Sequence, residues 1–308
     1  MRYQNFKQQL QKIILEYNHI KNNFEFYREE FESLSDVESK KNFYKSLLDS
    51  EELSQIESST MSLDDWFVLR YIMWKRSSEN IQGLKETMTA YTPSETVHLI
   101  KSAPVQNWFK KMRDFKLPEN VEKIVFVPCA KGKRWDKQSI KRFSSSTYRL
   151  YHELIEQYPE IYFITISEPL SVVPQDHWMD FPLYDNPGLF EKDIPLQTDL
   201  WTKDWKTLEV DFKRNGKRFV PFGKKSKDIA IKMLADQMVA VMKNIMQDRE
   251  FEFISMVCDV NPKKKTTHSL ILDQVVDKLG ITCLRLPKNP KARDKEEKKK
   301  MILTHLQG

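Results

Sequence analysis

Cysteine is scarce in this chain: Cys129, Cys258 and Cys283 are the only three in 308 residues. So few, so widely spaced, leave neither a disulfide framework nor a zinc cluster to expect, and a reducing, cytoplasmic setting is the expectation. Long apolar runs are missing as well. No stretch approaches the ~20 residues that span a bilayer, so no membrane partner is expected. The start, Met1-Arg-Tyr-Gln-Asn-Phe-Lys7, leads into an amphipathic stretch without the apolar block of a signal peptide. With 40% hydrophobic and 31% charged residues, the composition also excludes general disorder. A strong excess of one charge is absent, but the formal +6 is unevenly placed. Residues 1–116 hold 17 basic and 17 acidic side chains, and residues 117–308 hold 33 and 27. The whole excess lies in the second part, where it favours a polyanionic partner or simply a soluble surface.

What is present divides at the same place. In residues 1–116 the periodicity is helical and no strand pattern occurs. Phe6, Leu10, Ile13, Ile14, Tyr17 and Ile20 recur at three- and four-residue spacing. Ser62-Leu-Asp-Asp65 has the layout of a capping box. Thr92-Pro93-Ser94-Glu95 supplies an N-cap, a first-turn proline and an acidic third position. From residue 117 short apolar runs alternate with amphipathic ones. Strands are expected at Glu122–Val127, Ile161–Ile166, Glu252–Val257 and Ile281–Leu286. Helices are expected near 144–157, 226–246 and 269–279, the last closed by Gly280. The expected fold is therefore an all-helical domain, 1–116, followed by an α/β domain, 117–308, with helices on both faces of a parallel sheet. Ser167–Gly223, rich in Pro, Trp and Asp, breaks the rhythm and is expected to be an ordered excursion, with a short helix near 200–212.

Ligands of open α/β sheets bind beyond the carboxyl ends of the strands. Three chain segments fall there: Pro128-Cys-Ala-Lys-Gly-Lys-Arg-Trp-Asp136, Ser167-Glu-Pro-Leu-Ser-Val-Val-Pro174 and Cys258-Asp-Val-Asn-Pro-Lys-Lys-Lys-Thr-Thr-His268. Each carries polar or titratable side chains, and two carry lysine clusters. A shared cleft is the expectation, set against three independent surface loops.

In this order, Val127-Pro-Cys-Ala-Lys-Gly-Lys133, Ile166-Ser-Glu-Pro-Leu-Ser-Val-Val-Pro174 and Phe181-Pro-Leu-Tyr-Asp-Asn-Pro187 resemble the core domain of archaeosine synthase and its relatives. Lys133 stands at that family's lysine position, four residues after the cysteine. Arg134-Trp135 replace the family's Pro-Tyr, and Gln138 and Lys141 stand where it has Ser and His. The resemblance covers about residues 121–190. It implies a three-layer domain similar to the uracil-DNA glycosylase superfamily, in which Pro169-Leu-Ser171 lies near nucleic acid. Phage-defence DNA glycosylases that excise hypermodified cytosine are expected to share this domain type.

That resemblance implies N-glycosidic chemistry, whose cationic, oxocarbenium-like sugar needs a carboxylate to stabilise it or to activate water. Glu168, Asp185 and Asp259 are the catalytic candidates, with Asp180 a further carboxylate. Each has a plainer reading as a loop, turn or capping residue. Cys129 is a candidate nucleophile or a packing residue. Lys131, Lys133, Arg134, Trp135, Ser171, Tyr184, Asn186, Lys264 and His268 are the candidates for holding base or phosphate. Trp178, Trp201 and Trp205 join Trp135 as aromatics that either stack on a flipped base or fill the core. The tail 287–300, with seven basic and three acidic residues, tracks a phosphate backbone or is a solvated face. The leading expectation is a metal-free, cofactor-free glycosylase that removes a modified cytosine from phage DNA. A tRNA deazapurine-modifying enzyme and a non-catalytic nucleic-acid-binding module are the alternatives, with DNA favoured over tRNA.

Overall fold

Short, wholly apolar strands have nowhere to go but between neighbours, and the computed structural model pairs them so. It describes residues 22–58, 62–130, 133–135, 146–186, 223–247, 249–257, 265–286, 300 and 303–304. The sheet consists of β1 (Lys123–Pro128), β2 (Ile161–Ser167), β3 (Ser171–Pro174), β4 (Glu252–Ser255) and β5 (Cys283–Arg285), in the order β3-β2-β1-β4-β5. Strands β2, β1, β4 and β5 run parallel; Val125 of β1 lies between Phe163 of β2 and Ile254 of β4. Burial on both faces explains why β1 and β2 are continuous apolar runs instead of alternating ones.

β3 has no counterpart among the expected strands. It folds back antiparallel on β2 through Glu168-Pro169-Leu170, pairing Ser167 with Ser171. Four residues ending in proline give almost no strand signal, and an edge position is where proline is tolerated.

Among the described residues six α-helices precede β1: α1 (residues 22–32), α2 (Val37–Ser46), α3 (Ser50–Glu57), α4 (Leu63–Asn80), α5 (Pro93–Lys101) and α6 (Ala103–Arg113). The anticipated start signals work as capping does. Ser62 and Asp65 form a reciprocal capping box, and Thr92 accepts from the Glu95 amide. Within the second half, α7 (Ser146–Gln157) joins β1 to β2, α8 (Lys224–Ile245) precedes β4, and α9 (Thr267–Leu279) joins β4 to β5. Gly280 closes α9 in the left-handed conformation. The 6–20 periodicity, the 200–212 segment and the basic tail up to residue 299 lie outside the described residues.

Composition divides the chain at residue 116, but the buried cores divide it near residue 80. Phe31, Tyr44, Ile56, Trp66, Phe67 and Ile72 form one core among α1–α4. Leu99, Ile100, Trp108 and Phe109 of α5 and α6 belong instead to the core of the sheet, and Trp108 Nε1 donates to the Val172 carbonyl of β3 at 3.0 Å. The apolar faces of α5 and α6 need a large surface to cover, and α8 packs against both.

The two cores are tied by a polar joint. The exposed backbone donors at the start of α8 are met by side chains of α3 and its N-cap. Gln55 accepts from the Gly223 amide at 2.9 Å, Glu51 from the Lys225 amide at 3.2 Å, and Asp49 from the Ser226 hydroxyl. Glu52, fully buried beside them, accepts from the Ser94 amide at 2.9 Å and the Thr92 hydroxyl at 3.0 Å. A Cβ on Gly223 would collide with Glu52 Oε1, and Gly223 has φ +58°. Gly223→Ala is therefore expected to destabilise the chain by about 1–3 kcal/mol, measured by urea unfolding. Wild-type stability in that variant would show that the joint opens without cost.

Burial raises the Glu52 carboxyl to about 7, against the opposing hydrogen bonds from Ser94. Below its ordinary 4.5 the group is protonated whether the chain is folded or not. Between 4.5 and about 7 only the unfolded chain releases the proton, so stability falls as pH rises through that window. The full loss is about 3 kcal/mol. Unfolding midpoints at pH values spanning that window should show this slope in the wild type, and Glu52→Gln should flatten it.

Candidate active site at the strand ends

The sheet changes direction at β1: the chain moves to β2 on one side and later to β4 on the other. Such a switch point leaves a crevice beyond the carboxyl ends of the two diverging strands. Three segments deliver side chains there. β1 ends in Pro128-Cys129, and the Cys129 amide continues the ladder by donating to the Ile166 carbonyl at 3.0 Å. β2 ends in Ser167-Glu168. After β4, Thr266 caps α9 by accepting from the Ser269 amide, which fixes His268 in the first turn.

Cys129 Sγ lies 3.3 Å from His268 Nε2, and Glu168 Oε2 lies 3.1 Å from the same nitrogen. Cys129 is half-buried, while Glu168 and His268 are 1% and 4% exposed. Neither oxygen of Glu168 accepts a hydrogen bond among the described residues. Beside the cluster, Lys133 donates to the Ala130 carbonyl at 3.3 Å, and its ammonium lies 3.9 Å from the centre of the Tyr184 ring. The Tyr184 hydroxyl is hydrogen-bonded to Ser167 Oγ.

These neighbours set the charges. Burial pushes the Cys129 thiol up, but His268 and then Lys133 outweigh it, so the thiol ionises below its ordinary value. Burial opposes charge on His268, and the Glu168 carboxylate followed by Cys129 overcomes it, raising the imidazole to about 10. Burial, with the charge of Cys129 next, holds the Tyr184 phenol well above its usual range. The crevice thus gathers the sulfur of Cys129, the imidazole of His268 and the carboxyl group of Glu168 within 4.8 Å of one another.

Of the residues singled out from sequence, the fold brings together Cys129, Lys133, Glu168, Tyr184 and His268. Others are engaged elsewhere. Asp185 accepts from Ser77 of α4, and its backbone bridges to Met88 and Ala90, so its carboxylate serves the joint between the two cores. Asn186 accepts from Thr96 at 3.1 Å. Ser171, with φ +63°, is fully buried and donates to the Leu234 carbonyl of α8 at 2.7 Å. Arg134 donates to the Phe181 carbonyl at 2.7 Å.

Trp135 is buried against Phe181, Tyr148 and Trp178, ring centres 4.7, 5.1 and 6.5 Å away. Both it and Trp178 are core aromatics and offer no stacking face. Asp180 is at the surface with Lys111 and His177. Lys131, Asp259, Lys264, Trp201 and Trp205 lie outside the described residues.

Sequence reasoning passed over the pairing of Cys129 with His268 and the part of Ser167, which orients Tyr184 from the last position of β2. The Ser167 signal was available: a hydroxyl next to a carboxylate at the end of a buried strand. A cleft of about 530 Å³ between α1 and α4, lined by Phe26, Tyr27, Glu30 and Lys75, offers no comparable chemistry. Its lysine is already paired with its glutamate. No described helix is long and apolar enough to cross a membrane. Comparison with known proteins gave no matching family model, no matching curated protein and no matching solved structure.

Proposed function

We propose that the chain is a hydrolase acting on a base within nucleic acid, cleaving the N-glycosidic bond of a modified cytosine in DNA and leaving an abasic site. The observation that carries this reading is Glu168: a buried carboxylate at a strand end, in contact with a cationic imidazole and without a hydrogen-bond donor among the described residues. Such a group is poised for work on a cationic transition state. In the proposed step the oxygen of a water bonds to C1′ as the C1′–N bond breaks. Glu168 takes the proton of the water, and the base leaves with the electron pair of the bond and a proton from His268. The net charge of +6, confined to residues 117–308, suits a phosphate backbone. The resemblance to nucleobase-processing domains supports the same substrate class. No membrane takes part in this scheme.

The test is base release. The protein is incubated with plain DNA, uracil-containing DNA and DNA carrying glucosylated hydroxymethylcytosine. Free bases are identified by mass spectrometry, and abasic sites by alkaline strand cleavage. No released base and no alkali-labile site on any of the three would overturn the reading. The 3.3 Å contact of Cys129 with His268 supports a second one, base modification in tRNA with the thiolate as nucleophile. Lysine incorporation into deazapurine-containing tRNA, lost in Cys129→Ser, would favour it.

A further inference from the structure

We propose that Cys129 Sγ, Glu168 and His268 Nε2 form a zinc-binding site with an open fourth position. Two acceptors face one imidazole nitrogen: the sulfur at 3.3 Å and the carboxylate oxygen at 3.1 Å. A ring nitrogen carries at most one hydrogen and cannot serve both along straight lines. The Glu168 contact is close without being aligned as a hydrogen bond, and both of its oxygens are buried without a donor among the described residues. His268 at 3.1 Å supplies charge to that carboxylate but cannot give its one hydrogen to both acceptors. One divalent ion seated among the three atoms serves all of them at once.

Geometry and donor type agree on the ion. Ligands about 2.0–2.3 Å from a tetrahedral zinc lie about 3.3–3.6 Å from one another. The two observed separations, 3.3 and 3.1 Å, reach that spacing with shifts of a few tenths of an ångström, and all three donor atoms lie within 4.8 Å. A thiolate and an imidazole disfavour magnesium and calcium, which take oxygen. Three protein ligands leave the fourth position to water, as in catalytic zinc sites.

The scarcity of cysteine excludes a multi-cysteine cluster but not this mixed site, whose members lie 39 and 139 residues from Cys129 in sequence. Metal binding is a property separate from the reaction proposed above: with zinc bound, Glu168 and His268 Nε2 would be ligands, so the proton transfers assigned to them belong to the metal-free chain.

The experiment reads metal, not activity. The full chain, stripped with chelator and dialysed, is given zinc chloride, dialysed again and analysed by elemental mass spectrometry. One zinc per chain is expected. Cobalt(II) in its place should give a thiolate-to-metal charge-transfer band that is absent in Cys129→Ser and retained in Cys283→Ser. Glu168→Gln and His268→Gln should each weaken zinc binding by about 10–100-fold or more. Because such variants can misfold, the wild-type chain supplies a second measurement. Zinc should protect Cys129, but not the distant Cys283, from alkylation by iodoacetamide, mapped by peptide mass. Sub-stoichiometric zinc together with unprotected Cys129 overturns the proposal, as does selective retention of copper or iron over zinc.

Discussion

Glu168→Gln is expected to lower base release by about 10²–10⁴-fold while leaving the fold intact. The amide has the shape of the carboxylate, so packing around a side chain only 1% exposed is preserved. What disappears is the negative charge, which would face the developing positive charge of the sugar or take the proton of the water. Thermal stability should fall, because His268, held at about 10 chiefly by the Glu168 carboxylate 3.1 Å away, loses its buried partner. Release and melting temperature are measured on the same preparation, along with its metal content. Base release within about threefold of wild type, a loss far below that of a general base, would remove Glu168 from the reaction. A parallel loss of zinc and of release would place the defect in the metal site.

Arg70→Ala is expected to destabilise the chain by about 3–5 kcal/mol, the largest stability effect anticipated from a single substitution here. Arg70 of α4 is fully buried, with Nε 3.1 Å from Glu95 Oε1 of α5 and Nη1 3.5 Å from Glu86. Its guanidinium lies 4.0 Å from the centre of the Tyr44 ring. Removing it strands Glu95, itself buried, whose other oxygen is committed to the Tyr91 amide at 2.8 Å. The double variant Arg70→Met with Glu95→Gln should recover much of the loss, since no lone charge then remains inside. Urea unfolding of both variants decides the matter. A loss under about 1 kcal/mol for Arg70→Ala, the range of exposed pairs, would mean that water reaches the site and the pair is not truly buried.

Local signals in the sequence carried most of the architecture. The runs Ile124–Val127 and Ile161–Ile166 are strands because only a buried sheet accommodates such residues without alternation. Thr92, Ser62 and Gly280 mark helix ends through hydrogen bonds that depend on a few neighbouring residues. β3 was hidden because so short a segment against an edge carries no periodicity.

The site was legible by position but not by pairing. Glu168 follows a strand, and His268 falls near a helix start. Their meeting with Cys129 depends on the order β2-β1-β4, a property of packing across the sheet that no spacing encodes. Trp135 and Asp185 show the opposite failure. Each has the right chemistry for a base or a sugar, yet the aromatic core captures one and Ser77 of α4 the other. Division by burial departs from division by composition for a similar reason: α5 and α6 are helices by sequence and belong to the sheet by packing.

The polar joint between α3 and α8 bears on the order in which the chain acquires its structure. Its bonds span 168, 174 and 177 residues. During synthesis the helical segment is therefore complete long before the amides it caps have been made. Closing so long a loop costs entropy that is recovered only when the late contacts form, which slows folding. The chain cannot mature strictly from its beginning to its end. Its first helices wait, with Asp49, Glu51 and Gln55 unengaged by α8, for the arrival of Gly223.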